Sequence, residues 1–184
     1  IACCLVGSEM CIRDSSDVIY HEWGHGFHYY NLISGSWDGS ISEGIGDVIA
    51  IFHTEDSTIA PYFYTSGGGI REVDSNKIYP DDYTDNSNYV HSNGLIFGGT
   101  MWDLWWLLRD GYGDYDQADE VMFQLFVDGL RGGPTIEESY DEFVVADDDN
   151  GDLGDGTPHL CYLMDAFGQH GLGPGGTTKL IELS

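Results

Sequence analysis

The residues best suited to chemistry stand in one short run, His21-Glu22-Trp23-Gly24-His25. On a helix, side chains four residues apart lie on one face, so His21 and His25 can direct their imidazoles at a single metal ion. Glu22 lies beside them, where its carboxylate can take a proton from a water molecule that the metal activates. These residue types at this spacing predict a metal site that can support hydrolysis.

An acidic pair further along the chain supplies the third metal ligand that the first run lacks. Glu43 and Asp47 lie one turn apart on a predicted second helix, after a turn-rich connector over residues 35–42. Glu43 can be the third protein ligand and leave the fourth position for water. The spacing also lets the next carboxylate accept the outer N–H of a ligand histidine, which metal-bound histidines usually need. This acidic pair favours metal binding over two histidines that merely pack in a core or face solvent.

Together, these residues resemble the gluzincin metallopeptidases, which include the thermolysin and fungalysin groups. The segment Glu43-Gly44-Ile45-Gly46-Asp47 is closer to the fungalysin form of the second motif. The resemblance implies that Glu22 is the general base and that Asp47 orients a ligand histidine, His21. It implies three zinc ligands, which are His21, His25 and Glu43.

Other histidines could in principle bind the metal. The metzincin pattern requires a third histidine six residues after the second, where this chain has Asn31. His28 shares roughly the face of the histidine pair, but a position at the cleft border or inside the core is favoured over ligation. Neither position changes the expected ligand set.

The same resemblance suggests a group that stabilises the developing oxyanion. The segment Tyr89-Val90-His91-Ser92-Asn93-Gly94 is similar to a Val-His-x-Asn-x-Gly setting in thermolysin-like enzymes. His91 is therefore the candidate donor, with Tyr89 as its substitute. Asp85 could orient His91, although it is one residue away from the family spacing. The alternative is that His91 only caps the following helix.

Acidic residues with interspersed glycines fill the segment 147–156. Such a loop can wrap a calcium ion with oxygen ligands, but it lacks the closing glutamate of an EF-hand. A calcium site and a plain solvated turn are therefore both open, and Asp81, Asp82 and Asp85 form a weaker second candidate. The possible calcium ligands are Asp147, Asp149, Asp152 and Asp155.

The resemblance implies a mainly α fold, the helical C-terminal lobe of a thermolysin/fungalysin-like zincin catalytic domain with long irregular loops. Apolar periodicity predicts six helices, and residues 54–89 are expected to form long loops with a short strand. The helices are predicted over 17–33, from Ser40 or Ser42 to about 52, 93–109, 116–130, 135–145 and 157–170.

Several residues mark the ends and contacts of these helices. Asp17 and Thr157 are predicted N-caps, Thr135 and Glu138 a capping box, and Gly171 a helix stop. Gly24 and Gly26 are expected to let a backbone or a substrate approach closely. Trp102, Trp105 and Trp106 are expected in the core rather than in a ligand platform.

Composition limits the partners of the chain. Its 184 residues include 6 Lys+Arg and 32 Asp+Glu, which give a net charge of −26. Such a chain repels nucleic acid and anionic membranes, so we expect neither as a partner. No apolar run is long enough to span a bilayer.

The two ends of the chain stand apart from the predicted domain. Met10-Cys11-Ile12-Arg13-Asp14 is one frame of a run found in a common transposon adapter, so residues 1–15 are expected to be a sequencing or cloning scar. The catalytic domain is then 16–171, a fragment without its N-terminal part, and 172–184 is a tail or linker. Cys161 is left without a disulfide partner.

The sequence therefore predicts a zinc-dependent endopeptidase that acts on polypeptides, and the resemblance implies secretion. A zinc aminopeptidase is an alternative, although no motif for the substrate amine is evident. A non-catalytic, calcium-stabilised binding domain is another, although it would not need Glu22. The sequence does not indicate an oligomeric state.

Overall fold

The structure, a computed structural model, describes residues 2–64, 66 and 68–174, with side chains from Ser16 onward. It is mainly α, which confirms the predicted fold class, and two 3₁₀ turns cover Ser87–Tyr89 and Leu153–Asp155. The helices are α1 (Ala2–Asn31), α2 (Gly39–Thr54), α3 (Val90–Tyr112), α4 (Tyr115–Gly129), α5 (Ser139–Asp147) and α6 (Leu160–Gln169).

Helix α2 packs between α1 and α3, and glycines allow both contacts to be close. A Cβ atom on Gly24 would lie 2.6 Å from the Cα of Gly46, and one on Gly44 would lie 2.7 Å from the carbonyl oxygen of Gly94. No side chain could occupy either crossing without moving a helix. The close approach that the sequence predicted therefore occurs at Gly24, whereas Gly26 has no such neighbour within 4 Å.

The core lies where helices α2 to α6 pack together. Phe97 of α3 contacts Phe143 of α5, which in turn contacts Phe167 of α6, with ring centroids 6.0 and 5.2 Å apart. Burying each such side chain contributes about 1.5–3 kcal/mol. The same cluster contains buried aliphatic residues of α2 and α3, namely Ile41, Ile45, Val48, Ile96, Met101, Leu104 and Leu108.

The tryptophans of α3 lie mainly at the edge of this core. Trp105 is buried, as predicted, whereas Trp106 is 38% exposed. The guanidinium of Arg109 lies 4.1 Å from the ring of Trp105 and forms two hydrogen bonds of 2.7 Å with Asp119 of α4. The tryptophan face is therefore occupied by a residue of this chain, which agrees with a structural role.

The first two helices start differently from the prediction. Helix α1 begins before Asp17, so Asp17 is not its N-cap; its carboxylate instead accepts a hydrogen bond of 2.8 Å from the backbone N–H of Ala60. Helix α2 is capped by Asp38, which accepts from the N–H of Ile41, rather than by a serine. Sequence periodicity does not reveal which carboxylate caps a helix, because that depends on which one reaches a free N–H in the folded chain.

The last two helices are confirmed with shifted starts. Thr135 and Glu138 exchange the hydrogen bonds of a capping box, but α5 begins just after them. Thr157 is not the N-cap of α6, since its hydroxyl donates to Asp147 instead. Gly171 follows α6 with a φ of 71°, a conformation that favours glycine and confirms the predicted stop.

The long segment between α2 and α3 contains a minimal antiparallel sheet. Strand β1 (Thr58–Ile59) pairs with β2 (Arg71–Glu72), and Ile59 lies opposite Arg71. This pairing confirms the expected loops with a short strand. It also fixes the position of the only basic residue in the sheet.

The structure does not test the predicted scar or the predicted tail at the chain ends. The predicted scar lies in the first half of α1, where side chains are not described, and residues 175–184 of the predicted tail lie outside the described residues. Cys161 is an exposed free thiol. No helix in the described ranges combines the length and the apolar character needed to cross a membrane.

Candidate metal centre

Helix α1 presents two histidines on one face, as its period requires. The rings of His21 and His25 are nearly perpendicular, with centroids 4.8 Å apart. The side chain of His21 is 8% exposed and that of His25 is 27% exposed. The pair therefore stands at the edge of a cleft, with one ring inside it and the other near solvent.

Helix α2 brings a carboxylate to both rings. Glu43 Oε2 lies 3.3 Å from His21 Nε2, and Glu43 Oε1 lies 3.8 Å from His25 Nε2. One ligand atom from each of the three residues lies within 4.8 Å of the others. In the part of the chain that the structure describes, this is the only group of three or more His, Cys, Asp or Glu residues close enough to hold one ion.

The donor set fits zinc. Two imidazole nitrogens and one carboxylate are the protein ligands of a catalytic zinc site with one open position. Glu43 Oε2 is buried and finds no hydrogen bond of normal geometry among the described residues, although His91 Nε2 lies 3.2 Å, His21 Nε2 3.3 Å and Arg71 Nη2 3.8 Å away. A buried carboxylate oxygen without a hydrogen bond is costly unless a cation compensates its charge.

Asp47 supports His21 from behind. Its Oδ1 lies 2.9 Å from His21 Nδ1, the ring nitrogen opposite the one that faces Glu43. Asp47 is fully buried, and the Nε of Arg71 donates to both of its carboxylate oxygens at 2.9 and 2.8 Å. Arg71 therefore compensates the buried charge that orients His21.

The sequence interpretation did not include Arg71. The residue lies in β2, 24 positions after Asp47, and no motif marks it. One signal was present: Arg71 is one of only six Lys and Arg residues in the chain, and a scarce cation in so acidic a chain often has a specific carboxylate partner.

The site favours positive charge at its ring nitrogens. Burial lowers the pKa of His21, but the hydrogen bond to Asp47 and the close carboxylate of Glu43 outweigh it and raise the pKa from 6.5 to about 9. For Glu43, burial raises the pKa, but the contact with the His21 ring and the nearby charges of His91, His21 and His25 lower it overall. Two carboxylates thus create a negative potential where a metal cation would lie.

The other predicted catalytic residues surround this cluster. Glu22 is exposed on α1, next to His21, so its carboxylate is accessible to solvent. His91, at the start of α3, has a side chain that is 59% exposed and reaches Glu43. Tyr89 is 52% exposed in the preceding 3₁₀ turn. The fold brings His91 to the candidate ligand Glu43, whereas among the described residues Tyr89 forms no hydrogen bond or ion pair with the three ligand residues.

A cavity of about 400 Å³ adjoins Glu43. Its wall includes Trp37, Tyr83 and Asp85. Asp85, which was expected to orient His91, is exposed at this cavity, and no hydrogen bond joins the two side chains within the described ranges. An open space next to a candidate ligand can accommodate part of a bound molecule.

His28 packs internally, as the sequence favoured. It is fully buried, its ring centroid lies 6.3 Å from that of Trp37, and it is not part of the metal-binding group. Burial, opposed by the charge of Asp38, lowers its pKa from 6.5 to about 4. His28 is therefore a neutral core residue near the site.

Hydrogen bonds within the acidic segment 147–156 and to the residues just after it hold its carboxylates in place. Asp147 is buried, and its carboxylate accepts hydrogen bonds from the hydroxyl of Thr157 and the N–H of His159 and also contacts the His159 ring. Asp152 accepts from the N–H of Gly154. These bonds leave little of Asp147 for an ion, while calcium binding by Asp149, Asp152 and Asp155 stays a prediction.

Comparisons with known proteins agree with this geometry. The protein-family model for fungalysin metallopeptidase (M36) matches residues 10–176, so the match begins inside the predicted scar of residues 1–15. Extracellular metalloproteinase 1 of Phaeosphaeria nodorum is 26% identical over 89% of this chain. The extracellular metalloproteinases mep of Aspergillus niger and Aspergillus flavus are 25% and 26% identical over the same share.

The chain spans 31% of the length of each of these relatives. No solved structure matches it significantly.

Proposed function

We propose, from the premise that the chain belongs to the fungalysin (M36) family of metallopeptidases, that it is the zinc-binding part of an endopeptidase that cleaves polypeptides. The observation that carries the proposal is the convergence of His21, His25 and Glu43 within 4.8 Å. Because the chain spans 31% of its relatives, the activity of the whole protein is part of this proposal.

Each residue has a distinct role. His21, His25 and Glu43 would hold the zinc ion. When bound, zinc supplies a Lewis acid that lowers the pKa of water and polarises a carbonyl oxygen. Glu22 accepts a proton from the attacking water on its carboxylate and returns it to the leaving amine.

His91 stabilises the negative charge that develops on the substrate carbonyl oxygen, by donating a hydrogen bond from its imidazole. Its position 3.2 Å from Glu43 supports this role, and Tyr89 is the substitute donor. Asp47 holds the imidazole of His21 in the orientation that ligation requires. We also propose that the chain is secreted, because the relatives named above are extracellular enzymes.

The test is hydrolysis of casein with and without a chelator, followed by re-addition of zinc. We expect the chelator to abolish hydrolysis and zinc to restore it. Glu22→Gln should retain bound zinc but lose hydrolysis by about 10²–10⁴-fold, since it removes the general base. Glu120→Gln, at an exposed position on α4, is the matched control. Retained turnover by Glu22→Gln would contradict the assignment of the base.

The ligand set and the mode of cleavage have their own tests. His21→Ala and Glu43→Ala should lose zinc by elemental analysis, whereas His53→Ala, which changes an exposed histidine of α2, should keep it. A peptide with an acetylated N-terminus should be cleaved internally. Cleavage restricted to peptides with a free amine would favour an aminopeptidase.

A further inference from the structure

We propose that Ser42 is a positioning residue for the zinc ligand His25. The hydroxyl Oγ of Ser42 lies 2.9 Å from His25 Nδ1. This inference rests on the proposed function, because it takes His25 as a ligand. Ser42 lies directly before Glu43 in the sequence, so one turn of α2 supplies a ligand and supports another.

The two nitrogens of the His25 ring face different partners. Nε2 faces Glu43, whose Oε1 lies 3.8 Å away, while Nδ1 faces Ser42. Ser42 is fully buried, and its backbone N–H donates to the carbonyl of Asp38, the N-cap of α2. The hydroxyl therefore lies in the first turn of α2, buried beside the ring of His25.

This contact decides which nitrogen is available to a metal. When Nδ1 carries the proton and donates it to the hydroxyl, the lone pair of Nε2 points towards Glu43 and the ion. Without an acceptor at Nδ1, the ring can turn or take the other tautomer, and the site must then reorganise to bind zinc. Ser42 thus lowers the free-energy cost of orienting the His25 ring for zinc binding.

The two ligand histidines are supported by different chemistry. His21 faces Asp47, a buried carboxylate that requires Arg71 as its counter-charge. His25 faces a neutral hydroxyl, which adds no further negative charge beside Asp47 and Glu43. A third carboxylate here would carry its own desolvation penalty and would repel the other two. The neutral partner suits the second ligand for that reason.

The test compares two serines of the same helix turn. Ser40 is also buried, and its hydroxyl accepts a hydrogen bond of 3.2 Å from Asn93 rather than contacting a ligand. Ser40→Ala therefore removes one buried hydrogen bond from α2 just as Ser42→Ala does. Zinc affinity is measured on the purified chain by competition with a chelator of known affinity, and stability is measured on the metal-free chain.

We expect Ser42→Ala to weaken zinc binding about 10–100-fold, the usual effect of removing such a partner. Ser40→Ala should bind zinc nearly as tightly as the unchanged chain, although it loses comparable stability without metal. Cobalt(II) in place of zinc adds a spectroscopic measurement, and its absorption bands should change in Ser42→Ala and not in Ser40→Ala.

Different results would overturn the two proposals separately. Unchanged zinc affinity in Ser42→Ala, or an equal loss in both serine variants, would refute the positioning role while the zinc site stands. Unchanged zinc affinity in His25→Ala would refute the ligand set itself, and with it both proposals.

Discussion

Gly46 lies directly against the imidazole of His21. A Cβ atom on Gly46 would stand 2.6 Å from Nδ1 of His21 and 2.9 Å from its carbonyl oxygen. Real atoms do not approach so closely, so only glycine lets α2 approach the ligand helix at this point. Because Nδ1 is also the atom that faces Asp47, the clearance and the orientation of His21 depend on the same contact.

We expect Gly46→Ala to displace His21 and weaken zinc binding, with a loss of about 1–3 kcal/mol in the free energy of unfolding from overpacking. Gly26→Ala is the control, because a Cβ atom on Gly26 would meet no heavy atom within 4 Å apart from the adjacent backbone of its own helix. It should stabilise α1 by up to about 1 kcal/mol through helix propensity. Chelator competition and urea unfolding measure the two effects. Wild-type zinc affinity in Gly46→Ala would show that the crossing tolerates a methyl group.

Arg71→Gln should destabilise the chain by about 3 kcal/mol, because it leaves Asp47 buried with its charge uncompensated. The control is Arg131→Gln, which breaks a half-exposed pair with Asp128 and should cost at most about 1 kcal/mol. Urea unfolding of the metal-free chain measures both changes in the free energy of unfolding. The double variant Arg71→Gln/Asp47→Asn should recover part of the loss, and equal losses for the two arginines would contradict the interpretation.

His28 predicts a loss of stability at acidic pH. Its pKa is about 4 in the folded chain against 6.5 as the ordinary value, so between these pH values the unfolded chain binds a proton that the folded chain does not. The free energy of unfolding therefore falls as the pH drops from about 6.5 to about 4, by at most about 3 kcal/mol.

His28→Phe should reduce this pH dependence, since it keeps a ring against Trp37 but cannot bind a proton. His53→Gln, at an exposed site, should leave the dependence unchanged. Unfolding curves recorded every half unit of pH test the difference. Identical pH profiles for the unchanged chain and His28→Phe would exclude His28 as the cause.

Asp147→Asn should destabilise the chain by about 2 kcal/mol, because the buried carboxylate accepts charge-assisted hydrogen bonds from Thr157 and His159. Asp149→Asn, at an exposed position, should be nearly neutral without calcium. Melting temperatures with and without added calcium separate the two roles of the loop. A calcium-dependent increase that Asp149→Asn abolishes would confirm ion binding there, while no increase would indicate a solvated turn.

The sequence predicted those parts of the site that depend on local spacing. His21 and His25 share a helix face because the period of the helix places them there, and Glu43 follows from the acidic pair on α2. The six helices were predicted for the same reason, since apolar periodicity is local. Their starts were less certain: the carboxylate of Asp17 bonds to Ala60, 43 residues away, which no local pattern indicates.

The remaining parts of the site depend on contacts between distant segments. Arg71 reaches Asp47 only because β2 pairs with β1, and neither strand is longer than two residues. Ser42 could be recognised as a partner of His25 only after the crossing of α1 and α2 was known. A serine beside a glutamate has no distinctive spacing, and so the sequence alone gave no reason to select it.

A short stretch of α2 thus carries Ser42, Glu43, Gly46 and Asp47, each with its own task at the histidines. Fraying or rotation of this helix would remove all four together, so occupancy of the ion and integrity of α2 form a single equilibrium. Zinc should consequently slow amide hydrogen exchange throughout α2, well beyond the residue that binds it. Bound metal would thus protect the whole helix against local unfolding.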